Sequence, residues 1–93
     1  MRESVVERKL ATEAKKRGGL AVKFVSPGLD GVPDRLVLFP GGRLAFVELK
    51  APGKKMRPLQ EKRARQLTAL GFKVYCVDSP EKIGGVLDEI QTA

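Results

Sequence analysis

The chain reads as a single α/β domain, helices packed on a four-stranded mixed sheet in the order α-β-β-β-α-β-α. Three observations predict this. Ninety-three residues suit one small domain, and a 42% apolar content is ordinary for a globular fold. Segments of helical period alternate with short apolar runs of strand length. The runs Leu36–Phe39 and Leu44–Val47 are joined by Pro40-Gly41-Gly42, a hairpin signal.

Residues 2–17 form the first predicted helix. Val6, Leu10 and Ala14 recur at helical spacing, Glu3 and Glu7 suit the positive end of the dipole, and Gly18-Gly19 stops the run. Leu20 to Val25 read as a strand, followed by a loop of turn formers, Ser26 to Gly31. Its glycines allow close backbone approach to a ligand; it reads equally as a plain connection. Lys23 faces either the site or solvent, and Asp30 is a turn residue. The hairpin strands are apolar on both faces, which predicts central strands covered on both sides. Pro58 opens a helix to about Leu70, ended by Gly71, with Leu59, Leu67 and Leu70 toward the core. Phe72 to Asp78 is the last strand. Ser79 as N-cap and Pro80 start a docking helix with Ile83, Val86, Leu87 and Ile90 on one face.

Centring the hairpin near Gly41 pairs position 36 with 46 and 38 with 44, which sets Asp34 opposite Glu48. Opposed residues of an antiparallel pair share a face and lie roughly 4.5–5.5 Å apart. Lys50, two residues beyond Glu48, points the same way. Two carboxylates so close repel, and each raises the pKa of the other unless a cation stands between them. A hard divalent cation with oxygen ligands suits that place, with Lys50 set to orient or activate a water beside it. The plainer reading is a strand-end salt bridge of Glu48 with Lys50 or Arg35.

Charge points to a polyanion. Lys and Arg number 18 against 11 Asp and Glu, a formal charge of +7, which favours nucleic acid or an acidic membrane surface. Between Lys50 and Arg65 seven basic residues accompany one acid, Glu61. Lys54, Lys55 and Arg57, in the loop that starts at the acid pair, are placed to contact phosphates without sequence preference; otherwise they are a solvated loop. With no His in the chain, Ser-His and Cys-His nucleophiles and His-ligated zinc are excluded. The single cysteine, Cys76, forms no internal disulfide and fits a reducing compartment, so a cytoplasmic location is expected. No apolar run approaches the roughly 18 residues of a membrane span, and no signal peptide is visible.

Pro33-Asp34, thirteen intervening residues and Glu48-Leu49-Lys50 resemble the PD-(D/E)XK nuclease signature. The longer stretch GVPDRLVLFPGGRLAFVELKAPGKKMRPLQ, Gly31 to Gln60, resembles the VRR-NUC (virus-type replication-repair nuclease) family, and the likeness extends over nearly the whole chain as one domain, residues 1–93. The resemblance implies a restriction-endonuclease-like αβββαβα core and an Mg²⁺- or Mn²⁺-dependent endodeoxyribonuclease. It implies Asp34 and Glu48 as metal ligands with the Leu49 carbonyl as a further one. It also implies an acid from the first helix, aligned to Glu3 with Glu7 as the fallback, and Gln60 in the active site. Small members of the family resemble Holliday-junction resolvases acting as dimers on branched DNA, so DNA and a second copy are the expected partners; a phage origin would place the protein in host cytoplasm.

Two other classes fit parts of the sequence. A non-catalytic nucleic-acid-binding module would need no opposed carboxylates, which repel phosphate, and four Phe, one Tyr and no Trp leave little for base stacking. A restriction-type enzyme reading base sequence would need a recognition element, and none is visible.

Overall fold

The computed structural model describes residues 2–92. The elements are α1 (Glu3–Lys16), β1 (Leu20–Lys23), β2 (Arg35–Phe39), β3 (Arg43–Leu49), α2 (Pro58–Ala69), β4 (Lys73–Val77), a 3₁₀ turn (Pro80–Lys82) and α3 (Ile83–Thr92). The αβββαβα order therefore matches the sequence reading. The sheet runs β1-β2-β3-β4, antiparallel except for the parallel β3–β4 pair. The parallel pair is the one joined by a helix, as a parallel crossover requires.

The hairpin has the expected register: Leu36 faces Phe46, Val37 faces Ala45 and Leu38 faces Leu44. Gly41 and Gly42 have φ of 86° and 73°. Both lie in the left-handed region that side chains resist, so the Gly-Gly pair is what allows this turn.

One face of the sheet is the core. Val37, Ala45, Val47, Leu49 and Val77 are buried there against two helical stripes, Val6, Leu10 and Ala14 of α1 and Ile83, Leu87 and Ile90 of α3. The stripes recur every three or four residues, the spacing that keeps side chains on one helix face. Arg17, at the end of α1, ties the helices together. Its guanidinium donates to Asp88 Oδ1 at 2.6 Å and to Gln91 Oε1 at 3.0 Å.

The other face departs from expectation. Helix α2 contributes no buried residue: Leu59 and Leu70 are exposed and Leu67 is half-buried. A helix reading PLQEKRARQLTA has too narrow an apolar stripe to seal a sheet. Leu36, Leu38 and Leu44 are consequently half-buried, and the face is held by an aromatic row instead. Phe46 meets Phe24 and Phe72 edge-on, with ring centroids 5.6 and 5.7 Å apart, a favoured aromatic geometry.

Two boundaries also move. β1 ends at Lys23, although Phe24 N–H still donates to the Asp34 carbonyl at 2.8 Å. Ser79 makes no side-chain cap; Lys82 N–H bonds the Ser79 carbonyl to close the 3₁₀ turn, and α3 starts only at Ile83.

Candidate active site

The acid pair stands at the open end of the hairpin. Since Arg35 pairs with Val47, the next position outward sets Asp34 against Glu48. The carboxylates are cross-linked through the backbone. Asp34 N–H donates to Glu48 Oε1 at 3.3 Å, and Leu49 N–H donates to Asp34 Oδ2 at 3.1 Å. Each acid is thus held by the opposite strand, a more rigid mount than a loop provides.

Among the described residues Glu48 is the buried acid, 1% exposed among the apolar residues of β3. Its Oε2 is buried with no hydrogen-bond partner. Lys50 Nζ stands 3.8 Å from that oxygen, an ion pair rather than a hydrogen bond. Burial first, and the neighbouring Asp34 second, push the Glu48 carboxyl up from 4.5 to about 8, with Lys50 partly opposing them. On the neighbouring strand Cys76 is the register partner of Glu48, and burial together with the Glu48 charge pushes its thiol up. A groove of about 560 Å³ between α2 and β4 reaches Cys76 and is lined by Met56, Ala64 and Tyr75 among others.

These residues fit a hard divalent cation. A buried carboxylate oxygen lacking a donor is costly, and a cation would satisfy it. All side-chain donors here are oxygens, the chemistry that Mg²⁺ and Mn²⁺ prefer. No group of three or more acids, cysteines or histidines converges among the described residues. The protein side chains thus offer two carboxylates, in keeping with the habit of Mg²⁺ to retain waters and to take one or two carboxylates with substrate phosphate.

Lys50 connects this pair to a second feature. It lines a cleft of about 360 Å³ with Glu3, Ala51, Lys54, Lys55 and Arg57. The three expected phosphate contacts and the first-helix acid therefore border one cleft, which Lys50 links to Glu48. Glu7, the fallback acid, is committed elsewhere: its carboxylate accepts from Arg35, whose side chain is mostly buried. Strand parity explains the choice. Arg35 is one residue from Asp34, so it points through the sheet to the α1 side and away from Glu48. The same parity puts Lys23, the partner of Arg35, on the face away from the acid pair.

Gln60 sits in the first turn of α2, where its Oε1 accepts from Arg57 N–H at 2.8 Å and caps the helix. One contact escaped the sequence reading. Arg63 of α2 donates from Nε to the Asp30 carbonyl at 2.6 Å. A backbone carbonyl is the same in every residue, so the sequence carries no signal for it.

An αβββαβα sheet bearing Asp34 and Glu48-Leu49-Lys50 across a hairpin defines a restriction-endonuclease-like domain of the PD-(D/E)XK class. No family model matches the chain. A protein named Putative nuclease p44, from Acyrthosiphon pisum secondary endosymbiont phage 1, is 51% identical over 81 residues, 87% of this chain and 87% of its own length. A solved structure described as a VRR_NUC domain superposes with a TM-score of 0.86 at 29% identity, over 92% of this chain and 94% of that one. The chain belongs to the VRR-NUC nuclease family.

Proposed function

We propose that the protein is a metal-dependent endonuclease that hydrolyses DNA phosphodiesters and nicks four-way junctions as a homodimer. The observation that carries the nuclease reading is Glu48 Oε2, buried without a hydrogen-bond donor beside Asp34 and Lys50 and next to a basic cleft. Asp34, Glu48 and the Leu49 carbonyl would hold Mg²⁺ or Mn²⁺. Bound there, such an ion supplies Lewis-acid activation of a phosphoryl oxygen and acidifies a coordinated water. Lys50 lies between the acid pair and the cleft, so it orients the water and meets the charge that builds on the phosphate. Lys54, Lys55 and Arg57 seat neighbouring phosphates. Glu3 borders the cleft and reaches the site through water. Gln60 keeps its amide NH₂ for the substrate while its oxygen caps α2.

The exposed apolar side chains of the open sheet face support the dimer. Leu20 and Phe72 are about half exposed, at 55% and 45%, and Val22 adds to them at 36%. Such clusters mark association surfaces, and a two-fold pairing sets two sites in related positions on two strands. Light scattering should give twice the chain mass at micromolar concentration, and Phe72→Asp should reduce it to the monomer; a wild-type monomer with and without DNA would sink the dimer.

The direct test compares a four-way junction with linear duplex of the same sequence, in Mg²⁺, Mn²⁺ and EDTA, for wild type and Lys50→Ala. Metal-dependent paired nicks in the junction alone, lost in the variant, are expected. Cutting of duplex alone would keep the chemistry and discard the junction preference. Binding without cleavage in either metal would favour a non-catalytic nucleic-acid-binding module.

A further inference from the structure

Helix α2 carries the basic loop at its N-terminal end and has no buried residue of its own, so something other than core packing must hold it in place. Beside its packing on β4, two contacts on Asp30 and Gly31 do so. Arg63 Nε donates to the Asp30 carbonyl at 2.6 Å, and Arg63 Nη1 is braced by Gln66 Oε1 at 2.9 Å. One residue on, Gly31 has φ of 83°, and a Cβ there would stand 2.7 Å from Leu59 Cγ and 3.2 Å from Arg63 Cγ. The missing Cβ is what lets α2 approach the loop so closely.

Just beyond Asp30 and Gly31 the chain is firmly fixed. Pro33 is buried, and Asp34 is tied to the sheet by its carbonyl, its N–H and its carboxylate. The contact therefore positions α2 rather than Asp34. From α2 the constraint passes to the loop: Arg57 is the N-cap, bonded to Gln60, and Lys54 and Lys55 precede it along the cleft wall.

We infer that Arg63 is a positioning residue, a latch that docks α2 on the Asp30-Gly31 backbone and so holds the basic loop against the cleft beside Lys50. The inference rests on the DNA-cleaving reading for its purpose but not for its geometry. Arg63 is not required to touch DNA. Its carbonyl partner makes Asp30 replaceable in side chain, whereas Gly31 is not.

The experiment combines hydrogen exchange of the free protein with DNA affinity across a salt series in Ca²⁺, for Arg63→Ala, Gly31→Ala and Asp30→Ala. Circular dichroism and melting establish that each variant is folded. Arg63→Ala and Gly31→Ala should both speed exchange of the α2 amides while leaving β2 and β3 protected. Both should also lower the salt slope by about 2–3, the signature of losing several phosphate contacts at roughly 0.9 each. Asp30→Ala should do neither. A drop of about 0.9 in Arg63→Ala with Gly31→Ala unchanged would mean that Arg63 is one more phosphate contact, and the latch would fall. Unchanged α2 exchange in both variants would overturn it too. Because exchange is read on the free protein, a wild type that never cleaves DNA counts against the nuclease reading alone.

Discussion

On the face of the sheet that meets α1 and α3, Val37, Ala45 and Val47 are fully buried; on the opposite face Leu36, Leu38 and Leu44, from the same two strands, are only half-buried. The strands are equally apolar on both sides, so the difference comes from the helices. Stripes of Val6, Leu10 and Ala14 and of Ile83, Leu87 and Ile90 close the first face, whereas charged α2 leaves the second open. The division suits a catalyst. The closed face fixes the backbone of β2 and β3, and in the proposed nuclease the open side is where a ligand would meet Asp34, Glu48 and Lys50. Glu48 shows the join between the two, a carboxyl group with the burial of a core residue whose ion-pair partner, Lys50, lines a cleft.

The largest expected effect separates chemistry from packing. Asp34→Ala should lower cleavage by at least about 100-fold, more than loss of an outer partner of a metal ligand costs, and Glu48→Gln should do the same. Glu48→Gln should nevertheless raise the melting temperature of the metal-free protein near pH 7, because an amide is buried without the proton uptake that folding imposes on Glu48 at that pH. A less stable Glu48→Gln would show that Glu48 belongs to the closed face in energetic terms. Next in size, Leu10→Ala should destabilise by about 2–5 kcal/mol, while Leu20→Ala on the open face should stay within about 0.5–1 kcal/mol; urea melts of the two variants compare the faces directly. Equal losses would mean that the open face is covered in solution.

A smaller effect follows from the raised Glu48 carboxyl. Below about pH 4.5 both folded and unfolded states hold the proton. Between about 4.5 and 8 the unfolded chain ionises while the folded one retains its proton, so metal-free stability falls as pH rises through that window and levels above it. Melting temperatures from pH 4 to 9 should show this decline, absent in Glu48→Gln. Divalent-metal affinity, read by calorimetry, should run the other way and strengthen toward pH 8, with a proton released on binding. The smallest effect is at the cleft wall. Lys54→Ala, Lys55→Ala and Arg57→Ala should each reduce the salt slope of DNA binding by about 0.9, without altering the urea midpoint.

Much of this molecule is local in origin. The Pro40-Gly41-Gly42 turn sets the register, and register with strand parity is enough to bring Asp34, Glu48 and Lys50 onto one face. The apolar stripes of α1 and α3 are equally legible, since helical period is written along the chain. What was illegible is how well each stripe would be matched. Leu59, Leu67 and Leu70 look like a core face in sequence, yet they belong to a largely polar helix and none of them is buried. The fate of the two acids of α1 was equally hidden. Glu7 is drawn to Arg35 on the closed side while Glu3, one turn earlier, borders the cleft, and which neighbours each turn of α1 meets is set only when the helix docks on the sheet.

The residues alone determined the element order, the hairpin register, the acid pair with its lysine and the basic stretch that follows, because each depends on neighbours along one strand or helix. The tertiary structure decided the rest: which face is sealed, that Glu48 is buried deeply enough to hold its proton near neutrality, and that α2 meets the Asp30-Gly31 backbone through Arg63 and Leu59 while adding nothing to the buried core. Burial, desolvation and contacts to backbone carbonyls are set by surfaces that meet only after the chain has folded, and no spacing in the sequence records them.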